Sequence, residues 1–364
     1  MYGSCQESNV YKMKIMKHGL AYDDVLLIPG FADFKREETD VSIELPKGIH
    51  LSIPILSSPM DTVTMSGMAI TLGNLGGMGF IHRNMPIEKE VNEIKKAKNK
   101  TKLVGAAVGV GKDFEERLKG IIDGGADAVL IDSAHGFTKY VIEATSYIKE
   151  KYPKVLLISG NIATQKGAKA LIDAGADVLR VGMGPGSICT TRIVSGMGVP
   201  QITALEEAVK AANEKQIPII ADGGIRYSGD IVKSLAIGAN LVMLGSLLGA
   251  TDEAPGEITE RNGEKYKTYR GMGSVSAMKE GSAARYGQEY RKGQEKKLVP
   301  EGVEGLVRYR GSVEDVISQL VGGLRTGMYY VGARTIQELQ EKAEFIQITQ
   351  ASLIESFPHD IIRF

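Results

Sequence analysis

Short apolar runs rich in valine and isoleucine recur along the chain from Ile53 onwards, and each is followed by a longer segment with helical spacing. The runs end in Gly, Ser, Asp or Asn. Their length and β-branched composition are typical of buried strands. The expected strands are Ile53–Leu56, Gly79–His82, Leu103–Val110, Ala128–Asp132, Val155–Gly160, Val178–Gly182, Pro218–Asp222 and Leu241–Gly245.

The longer segments predict one helix after each strand. Eight strand–helix units in succession imply a parallel sheet, and eight of them close into a barrel. A weak internal repeat supports this, because Gly125, Gly175 and Gly238 each end a predicted helix before a short turn into a strand. We therefore predict an α/β fold, a single (β/α)8 TIM barrel domain over residues 1–364. The expected helices are Ser66–Gly73, Ile87–Lys98, Phe114–Asp123, Thr138–Lys151, Gln165–Ala174, Ala204–Asn213, Gly229–Ala236 and Val313–Leu324.

Two segments interrupt the alternation. The lysine-rich junction Lys95–Lys102 is most simply a solvated loop, and the span 249–311 is a long excursion between the last strand and the last helix. Within the excursion, Glu257–Tyr269 is predicted to form a hairpin that turns at Asn-Gly. The polar, glycine-rich segment Lys279–Lys297 follows and is too sparse in apolar residues to be core. Long excursions of this kind are more often functional than idle, although a disordered surface insertion is an alternative for its middle.

Composition excludes several classes of protein. Lys+Arg and Asp+Glu both number 44, so no global field favours nucleic acid or a membrane. No apolar run approaches the length of a membrane span. Residues 1–20 are expected to be a polar arm, and Met1–Tyr11 within it lacks an apolar signal core. The two cysteines, Cys5 and Cys189, do not suggest a disulfide framework. A thiol that must stay reduced to react predicts a cytoplasmic setting.

The stretch Arg180–Arg192 is the strongest candidate for chemistry. An apolar run, Ala176–Val181, leads into it, and three glycines and a proline then forbid both helix and strand. The backbone must turn sharply and leave its amide groups free for a ligand. Cys189 on such a loop can be a nucleophile beside a bound phosphate. The alternative is a small buried cysteine that packs the loop.

Other polar and glycine residues fall at predicted strand ends, where active sites of these barrels lie. Ser187, Gly224, Gly245 and Ser246 suit a phosphate, through hydroxyls and exposed backbone N–H groups. Tyr269 could add a phenol donor, and Asp222 is placed to accept from ribose hydroxyls. The residues that follow strand ends are Ser58, Met60, Asp132, Ser133, Asn161, Cys189, Asp222, Gly224, Gly245 and Ser246.

The loop Gly182–Arg192 resembles the active-site loop of the inosine-5′-monophosphate (IMP) dehydrogenases, and the resemblance extends over about residues 19–360. It implies NAD-dependent oxidation of IMP to xanthosine 5′-monophosphate (XMP) through a thioimidate on Cys189, a step of guanine nucleotide biosynthesis. In most of these enzymes a regulatory pair of CBS modules is inserted near residues 95–102. Here the chain passes straight through, so we predict that this module is absent.

The resemblance also assigns roles to residues. Arg285 and Tyr286 match a catalytic pair on a mobile flap (residues 279–297 here), and Thr191 and Glu301 match an alternative proton relay. Ala284 departs from the family's usual Asp, and Gly287 replaces an aromatic residue. These two departures bear on the equilibrium between the open and the closed flap. The implied substrate-binding set is Ser58, Met60, Ser187, Asp222, Gly224, Gly245, Ser246, Tyr269, Met272, Gly273 and Glu301, with Met272 and Gly273 at the purine base.

Three further expectations come from the same resemblance. The nicotinamide end of NAD is expected near Asp132, Ser133, Asn161 and Gly182, although no convincing Gly-x-Gly-x-x-Gly unit is present. A potassium ion is expected on backbone carbonyls of Gly184, Gly186 and Cys189. The segment Glu355-Ser356-Phe357 of a neighbouring subunit would complete that metal site, which implies a homotetramer.

Two other functions remain alternatives. GMP reductase, which converts GMP to IMP with NADPH, shares the cysteine, Thr191 and Glu301 and also lacks CBS modules. It needs no hydrolytic flap, so Arg285-Tyr286 favours the dehydrogenase. A catalytically idle nucleotide-binding regulatory protein has no need of the thiol, so the intact Cys189 loop argues against it.

Overall fold

Eight parallel strands form a closed barrel in the computed structural model, which describes residues 18–361. Each strand pairs with its neighbours in chain order, and Val242 on the last strand pairs with Ile55 on the first to close the ring. The predicted TIM barrel is therefore confirmed. The strands are β1 Ile55–Ser57, β2 Met78–Ile81, β3 Gly105–Val108, β4 Ala128–Ile131, β5 Leu156–Ile162, β6 Val178–Val181, β7 Ile219–Asp222 and β8 Leu241–Leu244.

One helix of the outer layer follows each strand, as predicted. Thr138, Thr164 and Ser312 accept hydrogen bonds from the first turns of their helices, which explains where those helices begin. The glycines of the weak repeat lie just beyond three helix ends, each with positive φ. The helices are α1 Ser66–Asn74, α2 Ile87–Lys98, α3 Phe114–Asp123, α4 Lys139–Lys151, α5 Gln165–Asp173, α6 Gln201–Ala212, α7 Ser228–Ala236 and α8 Val313–Val331.

A hairpin that the sequence pattern did not reveal packs against the barrel interior. Its antiparallel strands, Ile43–Leu45 and Ile49–Leu51, are joined by the turn Pro46–Gly48. Leu45, Ile49 and Leu51 are buried in one cluster with the inward-facing residues of the barrel strands. The interior is thus a filled core, and a ligand site must lie outside it.

The excursion after β8 contains the predicted hairpin, with strands Ile258–Arg261 and Glu264–Arg270 turning at Asn262-Gly263. A third strand, Glu304–Arg308, extends this sheet. Between them lie the helix Val275–Lys279 and the one-turn helices Ser282–Tyr286 and Glu295–Lys297.

The flap is better packed at its beginning than its composition suggested. We expected Lys279–Lys297 to be too sparse in apolar residues for core, yet Ser282 and Ala283 are buried. Ala283 packs in a small cluster with Met278 and Leu298, which lie just outside that segment. The expectation was wrong because small side chains and flanking apolar residues suffice to pack a single turn of chain.

The remaining elements surround the barrel. The lysine-rich junction Lys95–Lys102 is only partly the loop that we expected, because Lys95–Lys98 form the last turn of α2. Residues 99–104 connect that helix to β3 directly. Of the predicted N-terminal arm, residues 1–17, with Cys5, lie outside the described residues. Across residues 18–361, no helix has the length and apolar content needed to cross a membrane. The other elements are strands Val25–Leu27 and Phe345–Gln347, which pair, helices Thr191–Ser195, Ser246–Gly249, Ile336–Lys342 and Gln350–Glu355, and one-turn helices Tyr22–Asp24, Arg36–Glu38 and Asn213–Lys215.

Candidate active site

A cavity of about 740 Å³ lies at the carboxyl ends of the barrel strands, partly covered by the excursion. All the predicted catalytic and substrate-binding residues line it. They come from loops after β1, β6, β7 and β8 and from the excursion, so positions far apart in sequence meet in one place. Of the predicted NAD-binding residues, Ser133, Asn161 and Gly182 line this cavity, while Asp132 lines an adjoining cavity of about 240 Å³.

The Cys189 loop is held from both sides. Within the loop, the Cys189 N–H donates to the carbonyl of Gly186 at 3.1 Å. From the excursion, the carbonyl of Glu301 accepts from Thr190 N–H at 3.0 Å. The thiol, which is free and half-buried, lies 3.2 Å from the hydroxyl of Thr191. Cys189 is therefore a positioned, half-buried thiol beside a hydroxyl group, and the interpretation as a mere packing residue is not favoured.

The predicted phosphate-binding groups converge beside this loop. The short helix Ser246–Gly249 begins directly after β8, so its first N–H groups and the Ser246 hydroxyl are near the loop of Ser187. Tyr269 reaches this region from the excursion, and burial raises the pKa of its phenol above the usual range although Ser187 hydrogen-bonds to it. Tyr269 therefore stays protonated and can donate.

Asp222, at the end of β7, accepts hydrogen bonds from protein groups through one of its two carboxylate oxygens. Its Oδ2 accepts from Asn161 Nδ2 at 2.7 Å and from Arg180 Nε at 3.0 Å. Asn161 Nδ2 also donates to the carbonyl of Gly182, while its buried Oδ1 finds no partner among residues 18–361. The carboxylate is thus oriented by two neighbours through Oδ2, and within residues 18–361 no hydrogen bond reaches its Oδ1.

Asp132, at the end of β4, is surrounded by three arginines. Arg180 Nη1 donates to its Oδ1 at 2.9 Å, Arg83 Nε lies 3.5 Å from its Oδ2, and Arg285 of the flap pairs with it directly. Burial alone would raise the pKa of Asp132, but Arg285, Arg180 and Arg83 hold it well below its usual range. Asp132 is therefore ionised at neutral pH, and the surrounding guanidinium groups balance its charge.

Sequence reasoning missed Arg180 and Arg83 as site residues. Arg180 joins the two carboxylates, Asp132 and Asp222, and is almost fully buried. A signal was present, because Arg180 is a charged residue inside the apolar strand Val178–Val181. Such a residue in a central strand is rare unless it is paired. Arg83 gave no comparable signal, since it lies in a polar loop after β2.

Tyr286 lies beside Arg285 and against the loop of Gly273. A side chain at Gly273 would place its Cβ 2.9 Å from the Tyr286 hydroxyl, so only glycine leaves room for this contact. Burial raises the pKa of Tyr286, and the neighbouring Arg285 cation opposes that rise. The flap thus places a guanidinium and a phenol in the cavity that holds Cys189.

The predicted metal ligands fall in two places. Gly184, Gly186 and Cys189 lie on the turn of the cysteine loop and line the cavity. Glu355, Ser356 and Phe357 are exposed at the end of the last helix and do not line the cavity of their own chain.

Comparison with known proteins identifies the family. Residues 19–359 match the IMP dehydrogenase / GMP reductase domain. The chain belongs to this family. Among similar proteins are inosine-5′-monophosphate dehydrogenases of Borreliella burgdorferi, 45% identical over 96% of this chain and 98% of the relative, and of Cryptosporidium parvum, 45% identical over 94% and 95%.

A third member of the IMP dehydrogenase / GMP reductase family, the inosine-5′-monophosphate dehydrogenase of Aquifex aeolicus, is 41% identical over 96% of each chain. That alignment spans 477 positions, more than the 364 residues of this chain, so the Aquifex enzyme carries residues that are absent here. The family resemblance expected from the cysteine loop is therefore confirmed across nearly the whole chain.

Proposed function

We propose that this protein oxidises IMP to XMP, with NAD as hydride acceptor, through a covalent thioimidate on Cys189. The observation that carries the proposal is the burial of Arg285 and Tyr286 in the same cavity as Cys189. A thiol supports the covalent stage, and a flap pair within reach of it supports a separate hydrolytic stage. The names of the similar dehydrogenases agree with this activity.

In the first stage the protein holds the nucleotide and activates the thiol. Ser187, Gly224, Gly245 and Ser246 would bind the phosphate, and the free oxygen of Asp222 would accept from ribose hydroxyls. Tyr269 would add a phenol donor to the phosphate, and Met272 and Gly273 would contact the purine base. Cys189, as thiolate, adds to C2 of the purine. NAD, when bound, accepts the hydride that leaves C2.

In the second stage water cleaves the bond between Cys189 and C2, releasing XMP and the free thiol. A group of the protein must remove a proton from that water. Burial alone would lower the pKa of Arg285, but pairing with Asp132 raises it above its usual value. Arg285 must therefore leave Asp132 before it can act as a base. Tyr286 and the Thr191–Glu301 pair are the other candidates for proton transfer.

The residues present fit a dinucleotide. Asp132 and Ser133 lie next to the cavity, and the orphaned Asn161 Oδ1 can accept from an amide or hydroxyl of a ligand. Arg285 pairs with Asp132, one of the residues that we assign to the nicotinamide end. The docked flap and the cofactor would then compete for the same carboxylate, so the reduced cofactor must leave before hydrolysis.

A potassium ion would be held by the carbonyls of Gly184, Gly186 and Cys189, which as oxygen ligands suit a hard cation. Glu355, Ser356 and Phe357 of a neighbouring subunit would complete the site in a homotetramer. We further propose that residues 1–364 act as one catalytic domain in the cytoplasm, with no CBS module near 95–102, no membrane partner and no specific nucleic acid.

GMP reductase is the second candidate, because the family includes both activities. The reductase releases ammonia and needs no thioimidate hydrolysis, so the buried Arg285-Tyr286 pair favours the dehydrogenase. An idle nucleotide-binding protein would leave the positioned thiol without use.

One assay separates these functions. The protein is incubated with IMP and NAD, and in parallel with GMP and NADPH, while absorbance of the reduced cofactor is followed. The proposal requires NADH formation in the first reaction and little change in the second. NADPH consumption with GMP alone would establish the reductase, and silence in both would favour the idle protein.

A further inference from the structure

Arg270 joins three parts of the candidate site. It is the last residue of the excursion strand Glu264–Arg270 and directly precedes Gly271-Met272-Gly273, which line the cavity. Its Nε lies 3.1 and 3.2 Å from the two carboxylate oxygens of Asp61, and its Nη2 lies 2.7 Å from Asp61 Oδ2. This is a two-pronged ion pair, which fixes the guanidinium in direction as well as in position.

Asp61 ties that guanidinium to the barrel. It lies on the loop after β1, next to Met60, and its side chain is buried. Asn84, on the loop after β2, donates from Nδ2 to Asp61 Oδ2 at 2.8 Å. The carboxylate is therefore held by two barrel loops and has little freedom to follow the excursion.

The other edge of the same guanidinium reaches the start of the flap. Arg270 Nη2 donates to Glu280 Oε2 at 2.6 Å, and Nη1 lies 3.4 Å from Glu280 Oε1. The next residue, Gly281, has a φ of 125°, a conformation that side chains other than glycine's rarely adopt. Arg285 follows within the next turn of chain. Glu280 thus fixes the chain just before the turn that carries Arg285, and the buried Ser282 within that turn donates to the carbonyl of Met272.

The two ends of this network differ in exposure. The Asp61 side chain is 7% exposed and that of Glu280 is 60% exposed. The buried ion pair between Arg270 and Asp61 is consequently the stable one, and we call Asp61 the anchor. Water can compete for the exposed ion pair between Arg270 and Glu280. A contact of this kind can break and form again without unfolding the chain.

From these contacts we infer that the ion pair of Arg270 with Glu280 is a latch that holds the flap in its docked position, with Asp61 as its anchor. Arg270 and Glu280 are positioning residues, because they act through the placement of Arg285 and touch no reacting atom. The same guanidinium borders the purine-binding loop, so correct placement of that loop and docking of the flap are coupled. The functional part of this inference rests on the proposed role of Arg285.

Trypsin can report directly on the docked state. It cleaves after an arginine whose side chain reaches the protease, and the Arg285 side chain is 12% exposed while that of Arg291 in the same flap is 68% exposed. The rate of cleavage after Arg285 is measured relative to cleavage after Arg291, in the unsubstituted chain and in Glu280→Gln. We expect this ratio to rise about two- to fivefold, the range of a solvent-exposed ion pair.

A matched control removes the same charge elsewhere. Glu257→Gln alters an exposed carboxylate of the excursion hairpin and should leave the ratio unchanged. The ratio in the urea-unfolded chains corrects for any direct effect of residue 280 on trypsin. An unchanged ratio in folded Glu280→Gln would overturn the latch. Since this assay contains no nucleotide, it is independent of the IMP assay, whose failure would remove the proposed function alone.

A kinetic readout tests the consequence for catalysis. The docked flap and the cofactor would compete for Asp132. A flap that docks less well in Glu280→Gln leaves Asp132 open to NAD more often. Inhibition by excess NAD should therefore strengthen in this variant, by about the factor seen with trypsin. The first burst of NADH should keep its amplitude. A loss of the burst would mean that Glu280 supports substrate binding, which contradicts a role confined to the flap.

Discussion

The two sides of the site present different chemical groups to a ligand. The side around Ser187, Gly224 and Ser246 consists mainly of glycine backbone and hydroxyl groups at the ends of β6, β7 and β8. The side around Asp132 is a cluster of ion pairs, in which Arg83, Arg180 and Arg285 surround one carboxylate. Backbone groups fixed by strands cannot move far, whereas an ion pair with a flap residue can be exchanged.

In the proposed reaction, this difference would assign substrate binding to one side and the exchange of cofactor and flap to the other. The backbone side can hold one nucleotide through the whole reaction, because its geometry is fixed by the barrel. The charged side can hold first a cofactor and then Arg285, since both would use Asp132. Arg180 links the two sides through Asp132 and Asp222, so the proposed exchange would take place beside a fixed substrate.

The largest expected effect is on the thiol between the two sides. Cys189→Ala should reduce NADH formation to background, because the thiol that would bond to C2 is removed. IMP binding should remain, since the backbone side is untouched. Cys5→Ala is the matched control and should keep full activity. Appreciable NAD reduction by Cys189→Ala would exclude the covalent mechanism.

A smaller effect is expected on the exchangeable side. Arg285→Ala should slow turnover by roughly a hundredfold or more, as loss of a general base does, and should spare the first burst of NADH. Arg291→Ala, an exposed arginine of the same flap, is the control and should turn over normally. If Arg285→Ala lost the burst itself, the residue would serve binding or hydride transfer, and the two sides would not act in sequence.

The rigidity of the backbone side can be tested at Gly182. A Cβ there would lie 2.0 Å from the carbonyl oxygen of Asp222, at a φ of 153°. Gly182→Ala should lower the free energy of unfolding by about 1–3 kcal/mol from backbone strain alone, with more from displacement of Asp222. Gly293→Ala, in open space on the flap with positive φ, controls for the backbone term. Equal losses in chemical denaturation would show that this side tolerates movement.

The smallest effect concerns the cation. If carbonyls of Gly184, Gly186 and Cys189 bind potassium, turnover should rise with potassium chloride and rise much less with lithium chloride at equal ionic strength. The ion would order the loop that carries the thiol, and lithium is too small for the same set of carbonyls. Equal turnover in the two salts would mean that the loop is ordered by its own hydrogen bonds.

The barrel could be predicted from the sequence because each of its strands and helices has a sequence pattern of its own. Each strand is a short apolar run and each helix has its own periodicity, so even the bounds of α2 and α3 match the prediction. The cysteine loop was readable for a similar reason, since glycine, proline and thiol occur within a few residues. The hairpin around Leu45 and Ile49 was missed, because only packing against the barrel explains its burial.

The charged side was harder to predict from the sequence, because its ion pairs join residues that meet only in the tertiary structure. Nothing near Asp132 in sequence indicates that Arg83 and Arg285 will both pair with it. Likewise, Asp61 and Glu280 are far apart in the chain and are joined only through Arg270. Periodicity describes elements, while ion pairs between loops depend on how the elements are finally arranged.

The most direct test of the account is the intact mass of Arg285→Ala after incubation with IMP and NAD and quenching in acid. The account predicts a covalent adduct with the mass of the oxidised nucleotide, located on the peptide that contains Cys189, because the bond forms normally and is hydrolysed slowly. Cys189→Ala treated in the same way should carry no adduct. NADH formation by Arg285→Ala without any adduct would contradict the covalent, two-stage reaction.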